Sequence, residues 1–233
     1  MSTPFDFSVI LNNIVYFMIG RYPKGPLGGL GLTIYLAVIS CLLSFIGGLI
    51  LGLMNISHRW YLKYPSKIFV HFIRGLPLLM VIFWMYFLLP ALIGKTVPET
   101  ATVIMALTVF TSAYMSQIVK AGIEGVPKGQ MEAAISTGLK PWQAMLYIIL
   151  PQGLRNMIPS FVNQFVSMIK DTSLAFIVGV SELTHVATQI NNRTMAYPFE
   201  IFTFIAVVYF IICYIFTSFS RYLEKRLSWK KPI

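Results

Sequence analysis

Of the chain's 233 residues, 57% are hydrophobic and 11% charged, and the mean hydropathy is +0.74. A soluble domain carries roughly 25% charged residues, so too little polar surface remains here to cover a globule in water, and about 20 apolar residues per crossing leave room for five or six membrane helices. The net charge of +10 does not imply a nucleic-acid partner, because the cations sit in short segments between apolar runs and form no aromatic-interleaved surface.

In chain order, residues 1–29 come first, a mixed segment with Phe5, Val9, Ile10, Ile14, Val15, Phe17, Met18 and Ile19 as its apolar positions. Two readings stay open for it, an interfacial helix and a short sixth span. Pro4, Asp6, Pro23 and Pro26, with no small-residue cleavage site after an apolar run, argue against a signal peptide. A single membrane domain over 30–227 follows. Its apolar segments lie near Leu30–Asn55, Ser66–Ile93, Pro98–Lys120, Leu154–Val180 and Tyr197–Arg221, each long enough to cross ~30 Å of hydrocarbon as a helix. Residues 228–233 form a short tail. On the first segment Gly47, Gly48 and Gly52 suit close helix packing. Cys41 and Cys213 lie inside apolar stretches without metal-ligand spacing, and His58, His71 and His185 are too scattered to hold a metal.

Orientation follows from where Lys and Arg gather. After the first segment come Arg59, Lys63, Lys67 and Arg74 with no acid. The next connection balances Lys95 against Glu99. The third holds Lys120, Lys128, Lys140 and Arg155 against Glu124 and Glu132. The fourth sets Lys170 and Arg193 against Asp171, Glu182 and Glu200. The tail carries Arg221, Lys225, Arg226, Lys230 and Lys231 against Glu224. Positive and neutral-to-negative connections alternate. Five spans with an outside N-terminus and a cytoplasmic C-terminus produce that pattern, placing 1–29 outside and 228–233 inside.

The third connection, 121–153, is long, and long loops in compact proteins are usually functional or disordered. Met131, Ala134, Ile135, Leu139, Trp142, Met145, Leu146, Ile149 and Leu150 recur at approximately helical spacing. Pro127 fits before a first short helix, Gly138 fits a break, and Pro151 limits a second. A helix–turn–helix at the cytoplasmic membrane surface results, and periodicity alone leaves open whether it docks a partner or is only an interfacial elbow.

Glu132-Ala133-Ala134, then Gly138, Ile148 and Leu150-Pro151 at fixed spacing, match the EAA signature of ABC importer permeases. Phe72-Ile73-Arg74-Gly75-Leu76-Pro77-Leu78-Leu79, Ala113-Tyr114, Lys120-Ala121-Gly122-Ile123, Val126-Pro127-Lys128-Gly129-Gln130, Asn163-Gln164 and Lys170-Asp171-Thr172-Ser173-Leu174 narrow the resemblance to its polar amino-acid branch, over Gly31 to Leu227. Gln117 stands where members usually carry an acid. The resemblance implies an all-α membrane protein, a type I ABC importer permease fold with five transmembrane helices and a cytoplasmic coupling helix. In that family the loop docks into a cleft on an ATPase subunit, here with Lys128, Gly129, Gln130, Glu132, Ala133, Ala134, Gly138, Leu150 and Pro151. Ala133, Ala134 and Gly138 have little bulk, so a partner's walls can approach. Glu132, near the helix start, suits the helix dipole.

On the fourth segment Asn163, Gln164, Ser167 and Lys170 recur at three- and four-residue spacing and share a helix face. Polar groups in a span are costly and usually face a bundle interior or watery cavity. Hydrogen bonding to neighbouring helices explains them equally well, and Lys170-Asp171 also fits a plain helix end. The resemblance implies a substrate path here, through Asn163, Gln164, Ser167, Met168, Lys170, Asp171 and Ser173.

No G-x-x-x-x-G-K-[ST] loop occurs, so ATP and Mg are expected on a partner ATPase dimer, with no cofactor in this chain and no catalytic group. A secondary transporter is the rival reading, but the sequence shows no inverted repeat. The resemblance further implies a second permease subunit, identical or homologous, an external amino-acid-binding protein and surrounding inner-membrane lipid. Neutral Gln164 and cationic Lys170 favour glutamine, glutamate or aspartate over a basic amino acid such as histidine or arginine.

Overall fold

The computed structural model describes residues 6–228, with side chains up to residue 225. Pro4, Phe5, Lys230, Lys231, the side chain of Arg226 and nearly all of the 228–233 tail lie outside the described residues.

Helix α1 spans Ser8–Ile19, α2 Gly29–Ile56 and α3 Trp60–Arg74. Next, α4 (Leu78–Phe83) passes through a π turn, Trp84–Leu88, into α5 (Leu89–Ile93). The long α6 runs Glu99–Glu124. After α7 (Lys128–Ser136), α8 (Pro141–Ala144) passes through a second π turn, Met145–Ile149, into α9 (Leu150–Asp171). A 3₁₀ segment, Thr172–Val178, leads to α10 (Leu183–Thr194) and α11 (Pro198–Ser228). Among the described residues the only β pairing is two isolated bridges, Gly20 with Leu27 and Gly29 with Glu182.

Among the described residues, three helices are long and apolar enough to cross a bilayer: α2, α6 and α11 over Pro198–Lys225. The segment expected as one span, Ser66–Ile93, is instead broken, with α3 ending at Arg74 and α4 starting at Leu78. The cause lies in Arg74-Gly75-Leu76-Pro77. Proline disfavours helical backbone at Leu76 and has no N–H to continue the ladder. The Gly75 N–H closes α3 on the His71 carbonyl at 3.0 Å, and the Pro77 carbonyl opens α4 by accepting from Met80 N–H at 3.0 Å. Counted as one broken span, the pair makes a fourth. The fifth expected helix, α9, has 22 residues, or ~33 Å, but its polar face keeps it below the apolarity of the others. With 12 residues, or ~18 Å, α1 is too short to be the sixth span.

The helices divide into two compact units. One comprises Met1–Leu42, Pro77–Thr108 and Phe165–Ile215. Its core sets Val9, Ile10 and Phe17 of α1 against Leu183, Val186, Ala187 and Ile190 of α10 and Ile201 and Ile205 of α11. Phe17 meets Phe204 edge-to-face at 4.9 Å, a geometry worth ~0.5–1.5 kcal/mol beyond burial. Gly29 N–H donates to Ser181 O at 2.9 Å, and Leu183 N–H donates to Thr33 Oγ1 at 3.1 Å. These bonds fix the start of α2 to the start of α10.

The other unit comprises Leu43–Leu76, Val109–Gln164 and Phe216–Ile233. Here α2 and α6 touch along the expected glycines. A side chain added at Gly47 would meet Ser112, one at Gly48 would meet Met115, and one at Gly52 would meet Val119. Val119, Ile123, Val126, Ile149 and Met157 form the larger core of this unit, and Val70, Ile73 and Ala113 a smaller one. Arg74 lies over the Tyr114 ring, 5.2 Å from its centroid.

Candidate functional site

The 121–153 loop lies wholly in the second unit, and its boundaries differ from those expected. Ala121 to Glu124 still belong to α6, where Lys120 and Glu124 pair at 3.9 Å. Between α6 and α9 stand α7 and the α8–π segment. Pro127 is the N-cap of α7. At its other end Gly138 takes φ +91, its N–H donating to Ile135 O at 2.9 Å while Leu139 N–H reaches Ala134 O at 3.3 Å. Glycine reaches that left-handed backbone without strain and so ends α7 sharply. The Lys140 N–H then donates to Gln143 Oε1 at 2.9 Å and starts the next helix. Gln152 Nε2 donates to Gln130 Oε1 at 3.3 Å and to the Ile148 carbonyl at 3.0 Å, tying α7 to α9.

Pro151 does not limit the second helix. It sits in the first turn of α9, directly after a π turn, where its missing N–H disrupts least. Glu132 is the fifth of nine helical residues, beyond the first turn where a helix dipole acts strongly. It is exposed and open to a partner's charge. Lys128, Gly129, Gln130, Ala133, Gly138 and Pro151 are exposed as well, Leu150 is half-buried, and Ala134 turns into the core. No atom lies within 4 Å of a Cβ placed on Gly129 or Gly138. Ile135, Trp142, Leu146 and Tyr147, large and apolar, are also exposed. Small residues and open apolar side chains on one folded loop make a surface that fits docking.

The polar face of α9 divides between the units. Asn163 and Gln164 fall in the second, Ser167 to Ser173 in the first. Asn163 and Lys170 are exposed, and Gln164, Ser167, Asp171 and Ser173 are half-buried. Met168, four residues after Gln164, is fully buried in the core. In the first unit Lys170 and Ser173, joined by Tyr209 of α11, line an open cavity of about 200 Å³. Gln117 reaches only its neighbour, with Nε2 donating to Ser116 Oγ at 3.4 Å.

The sequence reading passed over Tyr209, and it counted Glu182 only as a loop charge. The Glu182 side chain is fully buried and caps α10, accepting from Thr184 N–H at 2.9 Å and His185 N–H at 2.8 Å. The Tyr209 hydroxyl donates to its Oε2 at 3.0 Å. Burial pushes the carboxyl up to about 7 against these hydrogen bonds, which act to lower it. An acid just before a helical Leu-Thr-His run was the available signal. Its tyrosine partner lies 27 residues on, beyond any local pattern.

Residues 44–229 match the family described as binding-protein-dependent transport system inner membrane component. The chain is 42% identical over 214 residues, 89% of this chain and 98% of the relative, to the "probable glutamine ABC transporter permease protein" of Bacillus subtilis. It is 36% identical over 201 residues to the L-cystine transport system permease protein of the same organism, covering 86% of each. It belongs to the amino-acid ABC importer permeases. A solved structure, of an amino acid ABC transporter with histidines, superposes at a TM-score of 0.84 with 30% identity over 97% of this permease and 100% of that chain. This permease is therefore an inner-membrane protein with the type I importer permease fold.

Proposed function

We propose that this permease carries a polar amino acid, with glutamine, glutamate or aspartate favoured, across the inner membrane. An external binding protein delivers the substrate. A separate ATPase dimer holding ATP and Mg drives the cycle by docking on the loop from Lys128 to Ile149. A second permease subunit, identical or homologous, completes the path, because so few helices cannot alternate access alone. The N-terminus lies outside and the C-terminus in the cytoplasm.

The observation that carries this reading is the loop itself: a compact helix–turn–helix, fixed by Gly138 at φ +91, with small and apolar groups left open on its surface. An exposed apolar patch on an ordered element marks an interaction site, and the EAA signature the loop carries supports an ATPase subunit as the partner. For the substrate, Lys170 offers charge to a carboxylate beside Ser173. The named relatives act on glutamine in one case and cystine in another, which supports a polar amino acid as the class.

Cross-linking tests the docking. With Cys41 and Cys213 replaced by serine, Ala133→Cys in the assembled complex, labelled at its thiol with a short photoactivatable cross-linker that inserts into neighbouring C–H and N–H bonds, should cross-link to the ATPase subunit on illumination. No cross-link in a complex that still hydrolyses ATP would overturn the assignment.

A further inference from the structure

Lys170 and Ser173 are side by side near the end of α9, but the third wall of their cavity, Tyr209, comes from a different helix. A tyrosine on a lone helix could occupy several rotamers, so something must hold it if the cavity is to keep one shape. The structure supplies the holder. Tyr209 donates its hydroxyl proton to Glu182 Oε2 at 3.0 Å, and Thr184 Oγ1 stands 3.2 Å from the same hydroxyl. Glu182 is held in turn by the two N–H groups at the start of α10. That helix start is pinned to α2, through Leu183 N–H on Thr33 Oγ1 and Gly29 N–H on the Ser181 carbonyl. The carboxylate is fully buried, a placement so costly that it survives only where every bond it makes is in place.

We infer that Glu182 is a positioning residue for the transport cavity: through the Tyr209 hydroxyl it fixes the wall facing Lys170 and Ser173. This inference rests on the proposed substrate path. The hydrogen bond carries two consequences. Because the hydroxyl proton is committed to Glu182, Tyr209 can turn only an acceptor toward anything in the cavity. The cavity then presents a cation at Lys170, a hydroxyl at Ser173 and an acceptor at Tyr209, which suits an amino acid's carboxylate and ammonium together. Movement of α10 against α11 would also pull directly on the cavity wall.

The test is direct binding of labelled amino acid to the purified complex of permease and ATPase subunits, without binding protein. The probe is whichever of glutamine, glutamate, aspartate, histidine and arginine the wild-type complex accumulates in vesicles. Tyr209→Phe keeps the ring and loses the hydroxyl, and with it the bond to Glu182, the contact with Thr184 and the acceptor offered to the cavity. It should weaken binding roughly fivefold or more in a complex that still assembles, with a lowered thermal midpoint because the buried Glu182 loses one of its hydrogen-bond donors. Glu182→Ala should weaken binding at least as much. Glu182→Gln keeps one oxygen, which can accept from Tyr209 and Thr184 N–H while His185 N–H loses its acceptor, and should restore affinity to within about twofold of wild type. Lys170→Ala reports on the path itself. Weak binding by Lys170→Ala with wild-type binding by a folded Tyr209→Phe complex would overturn the positioning role and leave the path standing. Wild-type binding by Lys170→Ala would sink the path, and the positioning role with it. Equal losses in Glu182→Gln and Glu182→Ala would also overturn it, since the buried acid would then serve in some other way.

Discussion

Replacing Gly138 separates the cost of the turn from the cost of docking. At φ +91 an L side chain is strained, by ~1–2 kcal/mol for alanine and up to ~3 kcal/mol for a β-branched residue. No atom of the chain lies within 4 Å of an added Cβ, so the whole intramolecular cost is conformational. It is confined to an exposed turn outside every span. Insertion and folding of Gly138→Val should therefore survive. If an ATPase wall packs on this turn, the new side chain must also be accommodated there, at ~1–3 kcal/mol for overpacking. Docking should weaken by roughly 5- to 150-fold. Gly129→Ala is the matched control. It is the second residue of α7, also with nothing within 4 Å, and alanine should leave the isolated helix unchanged or stronger by a fraction of the ~1 kcal/mol that separates alanine from glycine in a helix interior. A loss of coupling in that variant can come only from the partner's side. The assay is binding-protein-stimulated ATPase activity and uptake in reconstituted vesicles, with copurification of the ATPase as a check. Full stimulation and full uptake in Gly138→Val would refute the reasoning.

Three further outcomes follow from the same structure. A cysteine replacing Lys95 should react with a membrane-impermeant thiol reagent added outside, since the charge alternation puts that connection outside; labelling only after the membrane is opened from the cytoplasmic side reverses the topology. Gly48→Val should destabilise the permease by ~1–3 kcal/mol in thermal unfolding in detergent, because the new side chain meets Met115; an unchanged midpoint would mean α2 and α6 do not touch there. Glu182 takes up a proton on folding, its carboxyl rising from 4.5 to about 7, so its stabilisation is complete below pH 4.5 and is lost as pH rises through 7. The wild-type thermal midpoint should thus fall between pH 5 and pH 8, and Glu182→Gln should flatten that fall; equal slopes in the two proteins would refute the buried-acid account.

How far the sequence alone could be read depended on the range of the forces involved. Composition and apolar runs, which count residues without regard to neighbours, located both ends of α2 to within one residue, both ends of α6 to within four and the start of α11 to within one, while α11 runs seven residues past the expected Arg221. The glycine stripe on α2 showed which face would meet another helix, and Ser112, Met115 and Val119 supply that contact. The break at Gly75-Leu76-Pro77 was visible as letters but fell inside the expected Ser66–Ile93 segment, because apolarity continues on both sides of the proline. Pro151 misled in the opposite direction: a π turn before it lets the helix continue, and π turns leave no short-range signature. Met168 lies four residues after Gln164, so helical spacing groups it with the polar face, and only the tertiary packing shows that it is buried. The Glu182–Tyr209 pair was beyond reach, since it joins elements that only the tertiary fold brings together.

The most direct test of the account is uptake of radiolabelled glutamine, glutamate and aspartate into vesicles containing this permease, its ATPase subunits and its binding protein. Accumulation against a gradient that requires both ATP and the binding protein, and disappears when either is omitted, is the result expected. Accumulation driven by a proton or sodium gradient with the ATPase absent would contradict it.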